Sequence, residues 1–188
     1  MMPAMNVLTK PRMTVDQFLD WAVGRPGRYE LLRGEIVALS PETADHANMK
    51  GVIYRVLWNA IRQKRLACHV FPDGMTVRID AETAYEPDAL VYGGEMIKGT
   101  ALEVANPLIL VEVLSRSTRG VDETTKLADY FRLPSVVHYL IVDPTQPSVI
   151  HHSRATGNTI LTRIVTGGVI TLDPPGLEIA LADIYESS

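Results

Sequence analysis

The chain has 188 residues, 46% hydrophobic and 21% charged, enough for one domain, residues 1–188, that buries roughly 70% of its unfolded surface. A formal net charge of −4 excludes a constitutive nucleic-acid coat protein but leaves room for a local basic patch. The one cysteine, Cys68, allows neither an intrachain disulfide nor a cysteine-based metal cluster, the first residues lack the apolar centre of a signal peptide, and no uncharged apolar run is long enough for a membrane span, so a reducing, cytoplasmic setting is expected.

Residues 1–12 read as a loose lead-in. Thr14-Val15-Asp16-Gln17 has the spacing of a capping box, so a short helix is expected to about Val23, ended by Gly24 to Gly27 with Pro26. Arg28 to Leu32 and Glu35 to Leu39 form an expected hairpin turning at Arg33-Gly34. The longest element is a helix over about Thr43 to Arg65, with Met49, Val52, Ile53, Val56, Leu57 and Ala60 on one apolar face. Arg55, Arg62 and Arg65 share another face, and no acid occurs from His46 through Pro72. That stripe is either a solvated face or a surface that meets phosphate.

Strands follow at Ala67 to Phe71 and Met75 to Ile79, around Pro72-Asp73-Gly74, and another starts directly after Pro87 with Asp88 at its mouth. Leu108 to Leu114 is a β-branched apolar run that fits a strand buried on both faces. A helix over Val121 to Leu133, carrying Lys126, leads to a second buried strand at Val136 to Val142, which makes a βαβ unit in an α/β fold. Ser148 to Arg154, Thr159 to Val165 and Val169 to Leu172 read as an antiparallel C-terminal addition.

Glu112 stands inside the apolar run. An ionised carboxylate there is costly without a partner, so Glu112 is expected to be paired, metal-bound or protonated. If its strand pairs with the one that Asp88 opens, the two carboxylates converge on one edge of the sheet. A divalent cation would relieve their repulsion. Mg2+, or Mn2+ in its place, suits hard oxygen ligands and lets a phosphate complete its shell, and the Val113 carbonyl could add a third protein oxygen. Such a metal acidifies a bound water, and Lys126 would orient that water or stabilise the transition state. His46, at the start of the long helix, either assists at this site or makes a helix-start hydrogen bond.

Pro87-Asp88 followed by Glu112-Val113-Leu114 resembles the PD-(D/E)XK nuclease signature. Tyr29-Glu30-Leu31-Leu32-Arg33-Gly34-Glu35, Ser40-Pro41 with His46, Glu86-Pro87-Asp88, Val111 to Ser115 with Ser117-Thr118, Lys126-Leu127 with Tyr130, and Tyr139 to Pro144 are similar, in this order, to the Uma-two family of endonucleases. The resemblance implies a restriction endonuclease-like core, a mixed central β-sheet flanked by helices. It also implies hydrolysis of DNA phosphodiester bonds, with DNA as partner. Leu114 stands where the superfamily signature has lysine; the Uma-two pattern moves that lysine to the next helix, at Lys126. Glu30 matches a family position that completes the metal shell, although a plain strand-surface carboxylate fits it equally. Two rival readings stay open, a catalytically silent DNA- or partner-binding module and a metal-dependent hydrolase of small phosphoesters, and so does a homodimer.

Overall fold

The computed structural model describes residues 12–115 and 121–185; the lead-in before Arg12 and the Ser117-Thr118 pair lie outside them. Helix α1 (Val15–Ala22) starts with the expected capping box: the Thr14 side chain accepts from the Gln17 amide and the Gln17 side chain accepts from the Thr14 amide. Its Val15 and Phe18 bury against Leu31 and Ala84. The hairpin of β1 (Tyr29–Leu32) and β2 (Glu35–Ala38) turns through Arg33 at φ 50° and Gly34 at φ 80°. Two successive left-handed residues match the right-handed twist of paired strands.

Helix α2 (Ala44–Lys64) is capped by Thr43, which accepts from the His46 amide, and stops at Arg65 in the left-handed conformation. Strand β3 (Cys68–Pro72) and strand β4 (Val77–Arg78) flank Pro72-Asp73-Gly74 as expected, yet they do not pair with each other. Strand β4 joins β5 (Ala84–Tyr85) and the first hairpin in a small sheet of order β2-β1-β5-β4, whereas β3 forms an edge of the central sheet. A stop at Pro72, which has no amide proton to donate, separates the two roles.

The central sheet contains β6 (Ala89–Gly93), β7 (Pro107–Val113), β8 (His138–Val142), β9 (Val149–Arg154) and β10 (Ile160–Val165), in the order β10-β9-β8-β7-β6-β3. Strands β7 and β8 are parallel and the remaining pairs antiparallel, so the sheet is mixed. A parallel pair needs a long crossover, and α3 (Val121–Tyr130) lies within it. The helix ends three residues short of the expected Leu133, because Pro134 disfavours helical geometry in the residue before it. The antiparallel C-terminal part continues the central sheet through β9 and β10. A separate hairpin, β11 (Val169–Leu172) with β12 (Leu177–Ala180), runs into α4 (Leu181–Tyr185).

Alternation along the strands sorts side chains into two cores. Ile109, Val111 and Val113 of β7, with Ala89, Val91, Leu140 and Val142, face the apolar stripe of α2. Leu90, Tyr92, Leu110, Tyr139 and Ile141 face the other way, toward Tyr130 and Phe131. Each of the valine, leucine and isoleucine side chains among them contributes about 1.5–3 kcal/mol on burial. The same alternation sends Glu112 to the α3 side, where Lys126 meets it. The strand that organises the core thus also delivers the carboxylate.

Candidate active site

A cavity of ≈ 460 Å3 opens where β1, the mouth of β6, the end of β7, the start of α2 and α3 come together. Glu30, His46, Asp88, Glu112, Val113 and Lys126, six residues singled out from sequence, all line it. Pairing of β6 with β7 explains the meeting of the carboxylates. Ala89 sits opposite Val111, so one step further along the antiparallel ladder Asp88 stands across from Glu112.

On the α3 side, Lys126 is buried between two acids. Its Nζ donates to Glu30 Oε1 (2.9 Å) and to Glu112 Oε1 (3.1 Å), and lies 5.3 Å from the centre of the Tyr85 ring. Tyr130, four residues on, is fully buried and donates its hydroxyl to Glu112 Oε1 (2.8 Å). Glu30 Oε1 also accepts from the Glu86 amide (3.0 Å). Burial raises the pKa values of Glu112 and Glu30, the Lys126 ammonium pulls both down, and repulsion from Asp88 and from Glu112, respectively, adds to the rise. Lys126 therefore holds two carboxylates that would otherwise resist ionisation, and they hold it in one place.

On the α2 side, Asp88 Oδ2 accepts from the Val113 amide (2.8 Å) and lies 3.5 Å from His46 Nε2, itself 3.0 Å from the Val113 carbonyl oxygen. Burial pushes the Asp88 carboxyl up to about 6, against the Val113 hydrogen bond and the attraction of Lys50, Arg28 and Lys126. Arg28 and Lys50 each place a nitrogen 3.9 Å from Asp88 Oδ1. Both cations are tied into a network: Arg28 donates to Glu86 and Glu42, and Lys50 to Glu42 and Asp73. Burial pulls the His46 imidazole below its usual range, which leaves it neutral at pH 7.

The family model described as "Uma2: Putative restriction endonuclease" matches residues 15–182. The chain belongs to the Uma2 family. Two proteins of Synechocystis sp. (strain ATCC 27184 / PCC 6803 / Kazusa), named as uncharacterized proteins sll1609 and slr1290, are 26% identical over 80% of this chain and 85% of theirs, and 22% identical over 93% and 92%, respectively. A crystal structure from Anabaena variabilis ATCC 29413, described as a "putative nuclease", superposes with a TM-score of 0.68 at 16% identity, covering 93% of this chain and 98% of its own. That likeness establishes a shared fold, a mixed central sheet flanked by helices.

Six carboxylates line the cavity of this Uma2 chain (Glu30, Glu42, Asp45, Glu86, Asp88 and Glu112) against two permanent cations, Arg28 and Lys126. A concave, acidic wall of hard oxygens suits a divalent cation. Glu42, His46 and Asp88 each offer one ligand atom, all within 4.8 Å of one another, a group able to hold a metal ion. Glu30 is placed against Lys126, and its carboxylate accepts from that ammonium and from the Glu86 amide.

Arg55, Arg62 and Arg65 do not line the cavity. His46 marks the cavity end of α2, and Arg62 lies sixteen residues on, about 24 Å further along the helix axis. There Arg62 stacks on the Trp58 ring at 4.7 Å. The basic residues beside the carboxylates are instead Arg28 and Lys50, which the sequence reading passed over. A signal for Lys50 existed: with His46, Ile53, Leu57 and Ala60 it follows the three- and four-residue steps of the buried face of α2. A lysine in an apolar stripe demands a partner.

Proposed function

We propose that this chain is a single-domain, cytoplasmic, Mg2+-dependent endonuclease, able to use Mn2+, that hydrolyses phosphodiester bonds in DNA. The observation that carries the reading is the Lys126 ammonium fixed 3.1 Å from the Glu112 carboxylate, with Asp88 on the adjoining strand, in a cavity lined by acids. Family membership and a structural neighbour described as a "putative nuclease" support it. For the cytoplasmic setting there is the single cysteine, and no helix among the described residues is long and apolar enough to cross a membrane.

Asp88, Glu112 and the Val113 carbonyl are the residues that would hold the cation, and Glu42 and His46 stand beside them. Bound there, the metal supplies an acidified water and a positive charge near the phosphate. Lys126 donates to a phosphate oxygen as charge develops on it, which stabilises the transition state more than the ground state. Glu30 is a positioning residue: its bond to the Glu86 amide fixes it, and it fixes Lys126. Tyr130 orients Glu112 in the same way. Arg28, at the rim, counters the charge of a neighbouring phosphate. Arg55, Arg62 and Arg65 keep the solvated-face reading.

Purified protein should nick supercoiled plasmid in Mg2+ or Mn2+ and not in chelator. Glu112→Gln, which keeps the acceptor for Tyr130, should lower the rate by about 10²–10³. Single-stranded DNA, RNA and a nitrophenyl phosphodiester complete the panel. Cleavage of the nitrophenyl ester alone identifies a small-phosphoester hydrolase. DNA binding without cleavage of any substrate identifies a silent module, and either outcome overturns the proposal.

A further inference from the structure

His46 has a buried nitrogen with no hydrogen-bond partner among the described residues. Nine-tenths of the residue is buried, its Nε2 is 3.0 Å from the Val113 carbonyl oxygen, and the unsatisfied atom is its Nδ1. If Nε2 carries the proton and donates to Val113, Nδ1 is left as a bare acceptor inside the protein, which is unfavourable. If the proton is on Nδ1, Nε2 turns a lone pair toward two oxygens, Val113 O and Asp88 Oδ2 at 3.5 Å. One nitrogen and two oxygens able to ligate a cation then stand together at the cavity wall. Neighbouring ligands in an octahedral shell with bonds of about 2.1 Å stand about 3 Å apart. The distances from Nε2 to the Val113 carbonyl oxygen and to Asp88 Oδ2 are of that size.

Glu42 gives the single ring proton its place on Nδ1. Its Oε1 is 3.9 Å from His46 Nδ1, one helical turn back along the chain, and is held from the other side by Arg28 and Lys50. A closure of just under 1 Å completes a hydrogen bond from Nδ1. A carboxylate on the far nitrogen is the usual device that fixes the tautomer of a metal-bound histidine and raises its basicity. Thr43, which caps α2 by accepting from the His46 amide, sets the backbone that carries both side chains.

We propose that His46 Nε2 is a direct ligand of the divalent cation, beside Asp88 and the Val113 carbonyl, and that Glu42 accepts the Nδ1 proton as its positioning residue. The inference rests on the metal centre of the endonuclease reading and goes beyond it, since an imidazole changes which ion the site prefers. Imidazole nitrogen binds first-row transition ions, Mn2+ the weakest of them, more readily than it binds Mg2+, which is served by oxygen and water. A site with a nitrogen ligand discriminates in favour of Mn2+.

Mn2+ alone is the probe, with no nucleic acid present. Electron spin-echo spectra of the full chain with one equivalent of Mn2+ should show coupling to a histidine nitrogen, and the pattern should change when histidine alone carries the heavy nitrogen isotope. Among the described residues His46 is the histidine that lines the cavity, and His46→Gln should abolish the coupling. By calorimetry Glu42→Gln should weaken Mn2+ binding by roughly tenfold to a hundredfold with the coupling retained. His46→Gln should weaken it further and narrow the preference for Mn2+ over Mg2+. Specific Mn2+ binding without nitrogen coupling overturns the role of His46 and leaves the metal centre standing. Absence of any specific Mn2+ binding removes the centre and this inference together. The isotope measurement needs no variant, so poor folding of His46→Gln does not blunt the test.

Discussion

Lys126 is a buried lysine whose charge two acids share, and removing it exposes what each contributes. Lys126→Ala strands Glu30 and Glu112 as neighbouring buried carboxylates, and breaking a buried pair from one side costs about 3–5 kcal/mol. The variant should melt well below wild type in chelator as well as lose nicking. Adding Glu30→Gln should restore part of the melting temperature, because the amide oxygen still accepts from the Glu86 amide while one stranded charge is gone. It should restore no activity, since the ammonium is still missing. Stability and catalysis thereby separate at one residue. A double variant that melts no higher than Lys126→Ala would falsify the shared-charge account of this cluster.

At the scale of elements, β1 delivers Glu30 to the cavity, and its turn is pinned from two sides. Gly34 donates to the Glu82 carbonyl (2.7 Å) and accepts from the Met13 amide (3.0 Å). Its φ is 80°, and a Cβ placed there would fall 2.6 Å from Arg12 Cβ. Gly24, after α1, has a similar φ of 75° and open space around it. Gly24→Ala should therefore cost only the left-handed backbone strain, about 1–3 kcal/mol, and Gly34→Ala distinctly more. Equal losses in a denaturant titration would show that the Arg12 contact yields freely. The hairpin and its turn were legible because Arg33-Gly34 sits between two short apolar runs, and the capping box of α1 because its spacing is local. The βαβ unit of β7, α3 and β8 was legible for the same reason. Strand partners were not: β3 and β4 look alike in sequence and go to different sheets, and that choice is made by tertiary packing. Strand β12 and α4 were hidden behind Asp173-Pro174-Pro175, which reads as the end of regular structure. Of the site, Asp88 and Glu112 were legible as carboxylates at or inside apolar strands, and Lys126 through the ordered match to the Uma-two pattern. Arg28, Glu42 and Asp73 were not, because their meaning lies in contacts across the fold.

For the whole molecule, the pH dependence of stability sums opposing groups. The Asp88 carboxyl is raised from its ordinary value to about 6, chiefly by burial, and Glu30 and Glu112 are raised by burial too. Between pH 4 and 6 the folded state thus holds a proton on Asp88 that the unfolded chain has released, so this group makes stability fall as pH rises. Buried histidines act the other way: His46, His138 and His151 are lowered, His151 to about 4, and lose stability as pH falls below 6.5. Total stability against pH cannot isolate either set, but the difference between wild type and Asp88→Asn can. In chelator the difference should be near zero at pH 4 and grow through pH 6 to about 3 kcal/mol in favour of the variant, the equivalent of that displaced carboxyl. Millimolar Mg2+ or Mn2+ at pH 7.5 should reverse the order, because the cation stabilises by mass action only the chain that binds it. A carboxylate kept for its ion pairs with Arg28 and Lys50 behaves differently: its neutralisation lowers the melting temperature with or without metal. Parallel pH curves for the two proteins, with no response of either to metal, would leave Asp88 as part of that ionic network and remove it from the cation site.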